Sequence, residues 1–170
     1  MELNNIIAAL DALLEPQKYR DYATNGLQAE GRHEVRRIVT GVTACLDLIH
    51  AARERGADLL LVHHGWFWKR EDPRITGVRH KRISALLAAD MGLAAYHLPL
   101  DDHPEIGNNA LFGRRMGFIA DGRFGEDALG WIGQPEEEHP VHSHAQRICR
   151  HLYREPHHVG PADKRVRRVA

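Results

Sequence analysis

The chain has 170 residues, enough for one domain with a real core and a smaller elaboration. Its 23 Lys and Arg equal its 23 Asp and Glu, which excludes a global pull toward nucleic acid or anionic lipid while leaving room for a local basic patch. No apolar run approaches the ~20 residues of a membrane helix, and the start "MELNNIIAALDALLEP" lacks a basic n-region, so it reads as an amphipathic helix rather than a signal peptide. Cys45 and Cys149 lie far apart without CxxC spacing and read as reduced thiols of a cytoplasmic protein. Histidine is the outlier, with 13 copies, many of them paired.

Apolar side chains recur at helical spacing from Leu3 to Leu14, and Pro16 stops the pattern. Asn25-Gly26 is a strong turn signal, because both residues tolerate positive φ. The β-branched run from Arg36 to Ala44 predicts a strand, and "CLDLIHAARERG" a helix closing on Gly56. "ADLLLVHH" predicts a second strand of the continuously apolar kind that is buried on both faces. "RHKRISALLAADMG" follows as a helix, "LAAYHLPLD" as a third strand, and "GNNALFGRRMG" as a short helix ending at Gly117. Between Phe118 and Gly133 the pattern weakens into short, glycine-broken strands. A further helix follows Pro140, with His144, Ile148 and Leu152 at i, i+4 spacing. "DKRVRRVA" reads as the opening of another strand. The rhythm implies an α/β fold with a largely parallel sheet flanked by helices. We divide it into a metal-binding core over 1–117 and a smaller α/β extension over 118–170.

Two strands end on chemistry. The second finishes at His63-His64-Gly65, and the third runs into "YHLPLDDHPEIGNN", with His97, Asp101, Asp102 and His103. Open α/β sheets bind ligands beyond the carboxyl ends of their strands, so both clusters are expected at one edge. Imidazole nitrogen and carboxylate oxygen together suit a divalent transition metal. Neighbouring strand residues point to opposite faces. Either the strand breaks at or just after the pair, with Gly65 permitting the turn, or each imidazole serves a different ion of a two-metal pair. His97 alternates in phase with Asp101 on the expected strand, which makes it a candidate for orienting a ligand. Asp102 and His103 read as turn residues, Asn108-Asn109 as a helix start, and Trp66, Phe67 and Trp68 as packing. His157-His158 and the group "HPVHSH" from His139 to His144 read as mostly solvent-facing or helix-start residues.

"NGLQAEG", "VHHGWFWK" and "YHLPLDDHPEIGNN", in this order and spacing, resemble the GTP cyclohydrolase type 2 homologue family, a dinuclear metal-binding family also called NGG-one-interacting-factor-three-like. The resemblance runs from the first helix to Gly117 and more weakly to Ala170. It implies an α/β subunit with two divalent cations, among Zn, Mn, Fe, Ni and Co, facing the cavity of a ring-shaped homo-oligomer, commonly a toroidal hexamer. By the same resemblance His63, His64 and Asp101 are metal ligands. Asp102 stands where the family most often has LDAHP, and it is not promoted to a ligand.

The resemblance also implies a later segment supplying another histidine and a glutamate, which do not occur before Ala170. Two expectations stay open, a fragment or truncated product and a natural half-site protein; in either case the 170 residues alone are expected to hold a single ion, catalyse poorly and leave a sheet edge uncovered. Two functions likewise stay open. One is a metal-dependent hydrolase acting on a nucleotide-like substrate, by ring opening of a GTP base or by phosphoester hydrolysis. Asp102 or His103 would then move protons, and Lys69, Arg70, Arg79 or Lys81 would meet phosphate, since there is no P-loop. The other is a non-enzymatic metal-holding scaffold that interacts with nucleic acid or protein.

Overall fold

The computed structural model describes residues 1–170. They form two compact units, Met1–Leu100 and Asp101–Ala170, a division earlier than the weakening of the sequence pattern after Gly117. The first unit is built on a four-stranded sheet in the order β1-β4-β3-β2. Its strands are β1 (Gly26–Ala29), β2 (Ile38–Thr43), β3 (Leu59–His64) and β4 (Gly92–Ala95). The neighbours β2, β3 and β4 run parallel, while β1 is antiparallel to β4. The sheet is therefore mixed, mostly parallel with one antiparallel edge. The helices of this unit are α1 (Leu3–Leu14), α2 (Leu46–Glu54) and α3 (Gly77–Ala88).

Strand alternation explains why β3 and β4 read as continuous apolar runs. Leu60, Val62, Leu93 and Ala95 pack on one face with Ile49 and Ala52 of α2 and Leu86 of α3. Leu59, Ala94 and Tyr96 pack on the other with Leu3 and Leu14 of α1. A strand with apolar neighbours on both faces has no polar phase to show. Asp58, just before β3, is buried, and it accepts hydrogen bonds from the backbone N–H groups of Arg36 and Arg37, both at 2.9 Å. The Arg36 N–H bond does most to hold this carboxyl below its ordinary range, against the opposing effect of burial; the Arg37 N–H and the charges of Arg32 and Arg36 add to it.

Two expectations are corrected in and next to this unit. Asn25-Gly26 is not a turn: the chain bends earlier, at Tyr22-Ala23, and Gly26, at φ 93, opens the short strand β1. The expected third strand stops early: β4 ends at Ala95, and Leu98–Asp102 form the short helix α4. Its alternating "HLPLD" imitates a strand, but Pro99 sits comfortably in a first helical turn, and the Leu100 N–H donates to the His97 carbonyl. Asp101 is thus helical and has no strand phase to share with His97.

The second unit contains α5 (Asn108–Arg115), the antiparallel pair β5 (Phe118–Phe124) and β6 (Gly130–Pro135), and α6 (Val141–Leu152). Gly117 closes α5 at φ 65. The strand expected at "DKRVRRVA" is reduced to two isolated bridges, Pro140 with Arg165 and Gly133 with Val169. Close approach explains Gly133 itself, since a Cβ there would lie 2.2 Å from the Ile119 carbonyl oxygen.

Candidate metal centre

β3 delivers His63 and His64 to its carboxyl end, and the chain leaving β4 delivers His97 beside them. Ladder pairing between β3 and β4 ends at Val62–Ala95, whereas pairing with β2 continues to Thr43–His64. The strand thus runs through both histidines and breaks just after them, and their rings lie side by side with centroids 4.4 Å apart. His97 joins them, 5.0 Å from the His63 ring and 5.6 Å from the His64 ring. One nitrogen from each of the three lies within 4.8 Å of those of the other two, close enough to meet one cation.

Gly65 does not turn the chain by positive φ. A Cβ at this position would come 2.5 Å from the Ala95 side chain and 2.4 Å from Gln28 Oε1, so glycine is needed for close approach. Gln28 Oε1 accepts from the Trp66 N–H at 2.6 Å, and Gln28 Nε2 donates to the Trp66 carbonyl at 3.0 Å. The positive φ values fall later, at Phe67 and Arg70.

Each imidazole is oriented from behind. His63 Nδ1 donates to the Tyr96 carbonyl at 3.0 Å, because a carbonyl can only accept. His97 Nδ1 donates to Asp21 Oδ1 at 3.0 Å. In both rings the neutral tautomer then carries its lone pair on Nε2, the form a metal ligand requires. His64 Nδ1 lies 3.2 Å from Thr43 Oγ1. This donor set fits a borderline divalent cation, since neutral imidazoles suit zinc, iron, nickel and copper.

Asp21 is the organising group behind His97. It is buried, and besides His97 it accepts from the Ala23 N–H, the Asn25 side chain and the Leu98 N–H, each at 2.9 Å. Burial alone would raise its pKa. The hydrogen bonds from Ala23, Asn25, His97 and Leu98 outweigh that and leave it below the ordinary carboxylate range. A buried negative charge therefore sits behind a buried imidazole that is only 6% exposed.

The surrounding loops are tied to one another. The Lys69 N–H donates to the Tyr22 carbonyl and its ammonium to the Asp21 carbonyl, while Thr24 Oγ1 donates to the Phe67 carbonyl. Tyr22 and Trp68 each meet His97 edge-on with centroids 5.1 Å away. Trp66 is core, its indole N–H donating to the Ala44 carbonyl.

The other expected site residues make the following contacts. Asp101 lies on α4, where the Asn108 side chain donates to Oδ1 at 2.9 Å. Asp102 pairs with Arg123. His103 Nδ1 accepts from the Glu105 and Ile106 N–H groups at 3.1 and 3.2 Å, a turn residue as expected. Of the proposed phosphate contacts, Lys69 braces the loop and Arg79 pairs with Glu71 at 2.5 Å; Arg70 and Lys81 are exposed. Sequence reasoning assigned His97 to orientation and missed Asp21. The signal for His97 was its place beside a strand end; for Asp21, distant in the chain, no local signal existed.

The whole of residues 1–170 matches the sequence pattern of Duf34/NIF3 (NGG1p interacting factor 3). The chain belongs to that family. Among its members, proteins named GTP cyclohydrolase 1 type 2 homolog are similar: one from Neisseria meningitidis is 47% identical over 157 residues, covering 92% of this chain and 63% of its own length. One from Allochromatium vinosum is 42% identical over 170 residues, covering 99% of this chain and 67% of its own. The chain thus spans about two thirds of the length of these relatives. A solved structure described as protein ybgI, of unknown function, superposes with a TM-score of 0.91 at 39% identity, over 99% of this chain and 68% of that one. No helix is long and apolar enough to cross a membrane.

Proposed function

We propose that this Duf34/NIF3 chain is a metal-dependent hydrolase subunit acting on a nucleotide-like substrate, with His63, His64 and His97 as nitrogen ligands. The observation that carries the reading is the meeting of three imidazoles within 4.8 Å, two of them held in the metal-binding tautomer by Tyr96 and Asp21. Asp101 is kept in the proposal on the strength of the sequence resemblance, as the carboxylate that offsets cation charge and admits a second ion at the ~4 Å separation of two-metal sites. The ring-shaped homo-oligomer and the cytoplasmic location belong to the same proposal, and the name of the relatives, GTP cyclohydrolase 1 type 2 homolog, guides the substrate class.

A bound divalent cation supplies Lewis acidity and lowers the pKa of a bound water toward ~7. The chain supplies the rest. Asp21 keeps a proton on His97 Nδ1 and fixes the ring's direction, and the Tyr96 carbonyl does the same for His63. Tyr22 and Trp68 pack around His97 and restrict water beside it.

Elemental analysis after gentle purification tests the ligands. The parent chain is expected to retain metal that His64→Ala and His97→Ala lose; equal content in all three sinks the assignment. Metal-dependent consumption of GTP or a model phosphodiester, abolished in Asp101→Ala, is the expected activity. Salt-sensitive nucleic-acid binding with no turnover under any divalent metal would instead establish the scaffold.

A further inference from the structure

Helix α6 gathers a second set of nitrogen bases that the proposed metal centre does not use. His139, His144, Arg147, Arg150 and His151 line an open hollow of about 600 Å³, together with the side chains of Ser143 and Gln146, and no carboxylate lines it. Several arginines of the same unit are neutralised: Arg123 by Asp102, Arg165 and Arg167 by Glu138, and Arg168 by Asp121. Arg147 and Arg150 have no such carboxylate partner. Arg147 is also held in place. Its guanidinium lies over Gly117, where an added Cβ would come 2.7 Å from Nη1.

His144 is the second observation, and it departs from the solvent-facing reading that His139 and His142 follow. The residue is only 9% exposed, its ring packs 5.6 Å from Phe118, and its buried Nε2 has no hydrogen-bond partner. Buried polar atoms are paired in the great majority of cases. Burial first, then the nearby His139 and Arg147, hold this imidazole below its ordinary pKa. Glu137 reaches His139 at 3.3 Å, but no carboxylate meets Arg147 or Arg150; the hollow therefore concentrates the charge of two arginines that a bound anion relieves.

We propose that this hollow is an oxyanion site that takes the phosphate group of a small phosphorylated molecule. The guanidinium forks of Arg147 and Arg150 match phosphate oxygens, and Ser143 and Gln146 add neutral donors. A small ligand is favoured over a nucleic-acid strand for two reasons. The cations occupy one face of one helix and its N-terminal approach, and no Phe, Tyr or Trp lines the hollow to stack bases.

The test is a titration of inorganic pyrophosphate into the full chain after chelator treatment, at low ionic strength, read by calorimetry and by the histidine ring resonances. Saturable binding is expected, with shifts at His139, His144 and His151 and an affinity loss of about tenfold or more in Arg147→Ala/Arg150→Ala. Arg150 is exposed, so Arg150→Ala alone, with unchanged circular dichroism, is expected to give a smaller loss in the same direction. Arg147→Lys/Arg150→Lys is expected to fall between the parent and the double alanine variant. No saturable binding, unchanged affinity in the double variant, or shifts confined to His63, His64 and His97 would overturn the site. Tighter binding of a duplex oligonucleotide than of pyrophosphate, through the same two arginines, would overturn the small-ligand assignment.

Discussion

The two compact units spend their polar groups differently. In Met1–Leu100 the buried polar side chains are built into networks: Asp21 accepts four hydrogen bonds, Asp58 bridges two backbone N–H groups, and the Tyr96 hydroxyl donates to Asp11 at 2.7 Å. These networks sit against apolar clusters on both faces of the sheet. In Asp101–Ala170 the buried apolar side chains are Ala110, Met116 and Pro135, and Leu111, Phe112, Ile119 and Phe124 are exposed. Charge pairs on exposed side chains take the place of a broad core. Rigid, desolvated surroundings are what a metal-binding constellation needs to hold its ligands in geometry. The first unit provides them.

Core truncation should separate the units most strongly. Leu93→Ala, at a fully buried position of β4, is expected to cost about 3 kcal/mol in denaturant melts. Ile119→Ala on β5, at 50% exposure, is expected to stay within about 0.5 kcal/mol. Equal losses would remove the contrast. Next in size, Asp21→Asn is expected to weaken metal affinity about 10–100-fold in chelator competition, while Asp121→Asn on the second unit leaves it unchanged.

The acid limb offers a third measure. The folded pKa of Asp58 lies below its unfolded value of ~3.9. Its contribution is therefore present above about pH 3.9 and is lost as pH falls through the lower, folded value. Stability followed from neutral pH into acid should decline less steeply in Asp58→Asn than in the parent, from a lower starting point. A parallel decline in both chains would show that Asp58 does not couple to folding. Smallest of all, Arg168→Ala breaks an exposed pair with Asp121. It should leave the melting temperature almost unmoved, and any change should fade with added salt.

Legibility in the sequence followed the range of the interactions. The strands β2 and β3 and helices α1, α2, α3 and α6 were readable because apolar spacing along ten or so residues records which side is buried. β1 was not, since its four residues are made a strand by pairing with β4. α4 was misread because Leu98 and Leu100 alternate like a strand around Pro99. In the site, His63 and His64 stood out as polar residues ending an apolar run, while His97 was found but given an orienting role. Asp21 carried no pattern that marked it, and His144 read as one of a mostly solvent-facing group.

By itself, then, the sequence determined the α/β rhythm, the doubly buried central strands and the placing of two histidines at a strand's carboxyl end. These depend on side-chain periodicity and backbone preference, which are local. Only the tertiary structure decided that His97 joins the pair, that Asp21 stands behind it, and that His144 is buried beside two unneutralised arginines. Such meetings depend on how distant segments close over the sheet and over α6, and no pattern within a single segment encodes that closure.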